Sequence, residues 1–209
     1  MKTLAIIGAG DLGQQIAHFA LSDKHYDSVV FFDDYTTQDQ IKNIPVLGTI
    51  NNVVSAYNNN QFDELIIGIG YKHLEVRKTI YDTFKDQVPF GKIIHSSCYV
   101  DQTAKIGQGC VIYPKVNLDA NTEVKENCIL NINCTIAHDS VIGSHSFLSP
   151  RVAIAGFVNV EEQCILGINA TIIDNITITS KTQLGAGTVV IKSIEKQGLY
   201  VGNPAKFIR

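Results

Sequence analysis

From residue 94 onward the aliphatic residues of this chain keep a fixed interval. Every sixth position from Ile94 to Val190 is Ile, Val or Leu, 17 in succession without a slip. A period of six suits neither the 3.6-residue turn of an α-helix nor the two-residue alternation of a half-buried strand. It suits a hexapeptide β-solenoid, in which three hexapeptides form one triangular coil and the aliphatic side chains stack inside. At ~4.8 Å per coil, nearly six coils predict a prism roughly 27 Å tall. A second column, four residues after each aliphatic one, begins Cys98, Ala104, Cys110, Val116 and Thr122 and stays mostly small. The spacing predicts that this column lines tight inner corners.

The first ~90 residues alternate between strand-like and helix-like patterns. "TLAIIGAG" and "SVVFFDD" read as buried strands, "DLGQQIAHFALS" between them as an amphipathic helix. "IPVLGTI" reads as a short third strand segment, "NNVVSAYNN" as a brief helix, "DELIIGIG" as a strand and "HLEVRKTIYDTFKDQ" as a second amphipathic helix. Strands alternating with helices predict a small parallel sheet with helices packed on it. The expected organisation is an α/β half-Rossmann domain over 1–91, then a left-handed parallel β-helix over 92–209 with a short C-terminal tail.

Composition narrows the function classes. With 45% hydrophobic and 18% charged residues among 209, the chain reads as an ordinary globular protein. Its formal net charge is −3 and its 17 basic residues are scattered, so neither nucleic acid nor a membrane surface is an expected partner. No segment approaches the ~20 apolar residues of a membrane span. The N-terminal apolar run is broken by glycines and an Asp and does not read as a signal peptide, so a cytoplasmic location is expected. All five cysteines fall in the small-residue column. That placement argues for buried small hydrophobes rather than a metal or disulfide set.

Two stretches carry candidate chemistry. "GAGDLG" places Gly8, Gly10 and Gly13 after a strand and at the start of a helix, with Asp33 and Asp34 ending the next strand. Such glycines let the backbone approach a phosphate at a helix N-terminus, and the carboxylates can accept ribose hydroxyls. A single α/β half offers room for one nucleotide rather than two. Gly68, Gly70, Tyr71, Lys72 and His73 follow a later strand and are expected beside the same crevice. The second stretch, "IAHDSVIG", holds His138 and Asp139 between the core positions Ile136 and Ile142. The register predicts that both point outward.

Taken together, "GAGDLG", "FFDD", "IGIG", "ILNINCTIAHD", "LGINATI", "LGAGTVVIKS" and "GLYVGNPAKFIR" resemble the sialic-acid O-acetyltransferase-like (NeuD/PglD-type) family of bacterial sugar acetyltransferases. The resemblance spans essentially the whole chain. It implies a homotrimer with acetyl-CoA between neighbouring prisms and a nucleotide-linked (UDP, dTDP or GDP) 4-amino-4,6-dideoxy sugar held by the N-terminal half. O-acetylation of a sialic-acid-like sugar is the alternative. The family's catalytic pair falls on His138 and Asp139. Its coenzyme contacts fall on Gly156, Gly167, Ile168, Ala186 and Gly187, and its substrate contacts on Gly10, Asp11, Leu12, Gly13, Asp33, Asp34 and Gly68. No metal is implied.

Two positions depart from the family pattern. Asp11 and Leu12 stand where many members have His, and Phe147 stands where a second His is common. A zinc lyase of the γ-carbonic anhydrase kind would need three converging histidines. His95, His138 and His145 occupy three different phases of the repeat. A non-catalytic sugar-nucleotide-binding protein is the remaining rival, and it predicts that His138 is dispensable.

Overall fold

The computed structural model describes every residue, Met1–Arg209. The chain divides into two compact units, Met1–Ile93 and Ile94–Arg209.

In the first unit, β1 (Thr3–Ile7) leads into α1 (Asp11–Ser22) and β2 (Ser28–Phe32). A hairpin of β3 (Gln40–Ile41) and β4 (Ile44–Pro45) follows, then α2 (Val53–Asn58), β5 (Glu64–Ile67) and α3 (Leu74–Phe84). The sheet is parallel, in the order β2-β1-β5, with Ile7 level with Phe32 and Ile67. Their carboxyl ends therefore open on one edge, where Gly8, Asp33 and Gly68 begin the connecting loops. Burial on both sides explains the unbroken apolar runs of β1 and β2.

The expected third strand segment, "IPVLGTI", does not join that ladder as a full strand. Only Ile44–Pro45 is extended, paired antiparallel with Gln40–Ile41, and Val46 makes a single bridge to Phe31. Pro45 has no N–H to contribute to a ladder, and Gly48 at φ 132° turns the chain away.

The second unit is a parallel β-solenoid. Two-residue strands recur every six residues and pair with the strand 18 residues on, as in Asn117↔Thr135, Thr135↔Ala153 and Ala153↔Thr171. The three faces are sheets of six, five and eight strands, the last extended by Leu199–Val201 and Lys206–Phe207. Leu118, Ile136, Ile142, Leu148, Val160 and Leu166 are all fully buried in one continuous core.

The corners lie elsewhere than the small-residue column suggested. The turns fall on the second and third residues after the aliphatic position, and at most corners the third takes a left-handed backbone, as at Asn121 (φ 59°), Asp139 (φ 56°) and Asn175 (φ 59°). The small column comes next and points inward. Cys110, Cys128, Cys134 and Cys164 are buried, and Cys134 Sγ–H donates to Ser149 O one coil on at 3.2 Å. Burial pushes the Cys134 and Cys164 thiols up to about 12, so neither is a nucleophile at neutral pH. No helix is long and apolar enough to cross a membrane.

Candidate active site

The glycine-rich loop of the first unit is an interlock of backbone against backbone. Gly8 sits at φ 99°, and a Cβ on Gly13 would lie 1.9 Å from Gly8 O. A Cβ on Gly68 would meet the Gly13 Cα at 2.7 Å, so packing requires glycine at 13 and 68, and the positive φ favours it at 8. Gly10 has open space around it and precedes α1 with no side-chain cap, which leaves the first N–H groups of the helix available. Leu12 is half-buried, while Asp11 is exposed and lines a separate groove with Gln14, Gln15, His18 and Lys42.

The two carboxylates ending β2 do different work. Asp33 accepts three backbone N–H groups: Ala9 at 2.8 Å on Oδ2, and Tyr35 at 2.8 Å and Thr36 at 3.0 Å on Oδ1. Partial burial acts to raise its pKa, but those three donors outweigh it and hold the carboxyl below its ordinary value. Asp34 is exposed and receives only Ile50 N–H, at 2.8 Å on Oδ1. Beside them opens a cavity of about 350 Å³ lined by Gly8, Asp33, Asp34, Tyr35 and His73 with Ile7, Phe32, Ile50, Ile69, Val76 and Ile80. Its size and its apolar walls with a few polar groups suit a small organic ligand. Of the five residues expected beside the crevice, His73 lines it, and Gly68, Gly70, Tyr71 and Lys72 do not. Arg77, 1% exposed, donates to Ile67 O and Ile69 O at 2.8 Å each and so fixes one wall. No sequence motif marks Arg77, but its helical phase beside Leu74 and Ile80 identifies it as inward-facing.

In the second unit His138 and Asp139 form one corner, between the strands Thr135–Ile136 and Val141–Ile142. Asp139 N–H donates to Ala120 O of the preceding coil at 2.9 Å, and Phe157 N–H of the next coil donates to His138 O at 3.2 Å. Beneath, Ser140 is fully buried; its hydroxyl donates to Ala155 O at 2.8 Å and accepts Val158 N–H at 3.1 Å. The backbone of the pair is thus anchored from three directions.

The side chains project outward, at 48% exposure for His138 and 36% for Asp139, and His138 Nδ1 lies 2.9 Å from Asp139 Oδ2. An ionised carboxylate only accepts, so Nδ1 carries the proton and Nε2 presents its lone pair. The hydrogen bond from His138, together with that from Asn121, holds the Asp139 carboxyl below its usual range. The ring lies on Gly156, one coil further on, where a Cβ would come within 2.7 Å of imidazole Cε1. This arrangement can accept one proton at Nε2 and stabilise the resulting imidazolium.

The remaining coenzyme candidates cluster on another edge. Gly167 packs on the backbone of the next coil, where an added Cβ would lie 2.6 Å from Leu184 O, and Gly187 N–H donates to Ile168 O at 2.7 Å. Ile168 and Ala186 are exposed corner residues. Ile168 and Ala186 precede strands of the same six-stranded face that His138 follows, so the two groups flank that face on opposite edges within one chain. His145 is 2% exposed at a third edge, beside Asn127 Nδ2 at 3.0 Å, and Phe147 is buried. No group of three His, Cys, Asp or Glu is arranged to hold a metal.

Known proteins share this layout. Residues 3–84 match the PglD N-terminal domain and residues 94–198 the GMPPB C-terminal domain. The acetyltransferase domain of PglB from Neisseria gonorrhoeae FA1090 is 28% identical, with a TM-score of 0.91 over 100% of both chains. A structure of that domain in complex with acetyl coenzyme A gives 0.90 over 99% of each at 28% identity. PerB from Caulobacter crescentus, in complex with CoA and GDP-perosamine, superposes at 0.90 over 100% of this chain and 98% of that one, at 24% identity. No curated protein matches the chain. Fold and matches together define an acyltransferase built on a hexapeptide β-solenoid. Within that class the chain belongs, through residues 94–198, to the GMPPB C-terminal domain family, and the PglD N-terminal domain matched by its first unit supports a PglD-type sugar acetyltransferase.

Proposed function

We propose that the chain transfers the acetyl group of acetyl-CoA to the amino group of a nucleotide-linked 4-amino-4,6-dideoxy sugar, with His138 as the base. The observation that carries this reading is the outward His138 ring, tied through Nδ1 to Asp139 with Nε2 left to accept a proton. As the sugar nitrogen attacks the thioester carbonyl, Nε2 takes its proton. The tetrahedral intermediate then collapses with loss of the coenzyme A thiolate, which can receive that proton from the imidazolium. Asp139 holds the tautomer and favours the imidazolium as it forms.

Acetyl-CoA as donor is supported by the bound coenzyme of the 28%-identical PglB domain. Gly167, Ile168, Ala186 and Gly187 would contact it through backbone at their edge. Because that edge and the His138 edge lie on opposite sides of one face, the reading includes a homotrimer in which one copy's His138 meets another copy's coenzyme edge. The nucleotide would occupy the cavity beside Asp34, its phosphates near the open N–H groups after Gly10. Five free cysteines in the solenoid suit a reducing cytoplasm.

The test is release of free thiol from acetyl-CoA in the presence of UDP-, dTDP- and GDP-linked amino and hydroxy sugars. Turnover with an amino sugar supports the reading. Turnover confined to hydroxy sugars would replace it by O-acetylation, and thiol release with none of them would sink it.

A further inference from the structure

Along the edge that carries His138 and Asp139, the corners one coil before and one coil after are built around the pair. Asn121 donates its side-chain N–H to Asp139 Oδ1 at 3.1 Å, while Asp139 Oδ2 faces His138. Both carboxylate oxygens are therefore engaged. Phe157, on the other side, combines φ 57° with 56% exposure. A bulky side chain in the left-handed region is strained, and an exposed ring recovers little of that strain through burial. The other left-handed corners of this edge are Asn121, Asp139 and Asn175, residue types that tolerate the conformation. What Phe157 does have is His138: the two rings stand edge to face at 86°, centroids 5.2 Å apart.

We propose that Asn121 and Phe157 are positioning residues for the base, Asn121 by locking the carboxylate of Asp139 and Phe157 by closing one side of the imidazole. This rests on the reading of His138 as the base. A half-exposed His-Asp pair held by one hydrogen bond samples several rotamers, and only those with Nδ1 on the carboxylate and Nε2 toward the acceptor are productive. Asn121 removes the rotation of Asp139, and Phe157 together with Gly156 removes the swing of the ring.

The experiment is steady-state kinetics of the full-length protein carrying Asn121→Gly or Phe157→Asn, both of which suit a left-handed backbone and should fold. Each variant is expected to lower kcat by ~3- to 10-fold while KM for acetyl-CoA and for the sugar nucleotide stays within about twofold. Phe157→Asn should melt at or above the parent temperature, because it relieves strain while costing activity. In an Asp139→Ala background Asn121→Gly should have no further effect, since the amide acts through that carboxylate. Unchanged kcat in these variants while His138→Ala is inactive overturns the positioning role and leaves the base reading intact. Full turnover by His138→Ala removes the base reading first. A rise in KM alone reassigns the residue to substrate contact, and a smaller assembly mass for Phe157→Asn reassigns it to a subunit contact; either result overturns the proposal.

Discussion

The two units hold their candidate ligand residues in opposite ways. In the first, site and scaffold are the same atoms: Gly13 and Gly68 interlock with no room for a Cβ, Gly8 turns at a positive φ, and Asp33 commits its carboxylate to three backbone N–H groups. In the second, the core of stacked Ile, Val and Leu and the corner ladders recur in every coil, and His138 and Asp139 are side chains placed on a corner that would form without them. A periodic frame separates function from stability, whereas a tight loop couples them. Substitutions at four positions probe that difference.

The largest expected effect is at His138. His138→Ala should lower turnover by at least ~100-fold while leaving the melting temperature and coenzyme binding unchanged, since the ring is half-exposed and outside the core. Measured loss of turnover together with a large loss of stability would contradict the separation. Gly156→Ala comes next. Its backbone is ordinary, but the new Cβ would meet the imidazole at 2.7 Å and push the ring off its seat. A loss of roughly 10-fold in kcat with a small shift in melting temperature is expected, in line with the cost of misplacing a reacting group. If turnover is unaffected while KM for acetyl-CoA rises, Gly156 serves the coenzyme rather than the ring.

Asp33→Ala should behave in the coupled manner. Removing the acceptor of three N–H groups is expected to cost about 1–3 kcal/mol, read as a lower melting temperature with weaker sugar-nucleotide binding alongside. The sign with pH follows from the lowered carboxyl pKa. A depressed folded-state value stabilises above the ordinary carboxylate range and stops doing so as pH falls through it. The difference between parent and variant should therefore be full at neutral pH and shrink in acid. A difference independent of pH would rule out the carboxylate as its source.

Much of this layout is legible from the residues alone. The 17 aliphatic positions define the solenoid because a buried column tolerates no polar substitution, and a period of six has no competing secondary structure. The location of the turns is less legible. Small side chains such as Cys110 and Ser140 mark what lies inside, not where the backbone reverses, and the reversal sits one or two residues earlier on left-handed residues. Once three hexapeptides are known to make a coil, the neighbours of the His138-Asp139 corner can be read 18 residues away: Asn121 one coil before, Gly156 and Phe157 one coil after. In the first unit no such rule exists. Which carboxylate of "FFDD" turns back to the loop depends on how the chain leaves β2, and neither residue type nor spacing carries that.

Asp34 gives the smallest expected effect and the finest test of the contrast. It follows Asp33 directly, yet it is exposed and one oxygen serves Ile50 N–H while the carboxylate borders the 350 Å³ cavity. Loss of one exposed hydrogen bond should cost at most about 1 kcal/mol of stability. Loss of an acceptor for a ribose hydroxyl should raise KM for the sugar nucleotide by ~3- to 10-fold with kcat held, the mark of uniform binding. Asp34→Asn, which keeps one oxygen acceptor, should fall between the parent and Asp34→Ala. If instead Asp34→Ala destabilises the protein as much as Asp33→Ala does, both carboxylates belong to the scaffold. The first unit would then offer a nucleotide no free carboxylate, only backbone N–H groups, apolar walls and the side chains of Tyr35 and His73.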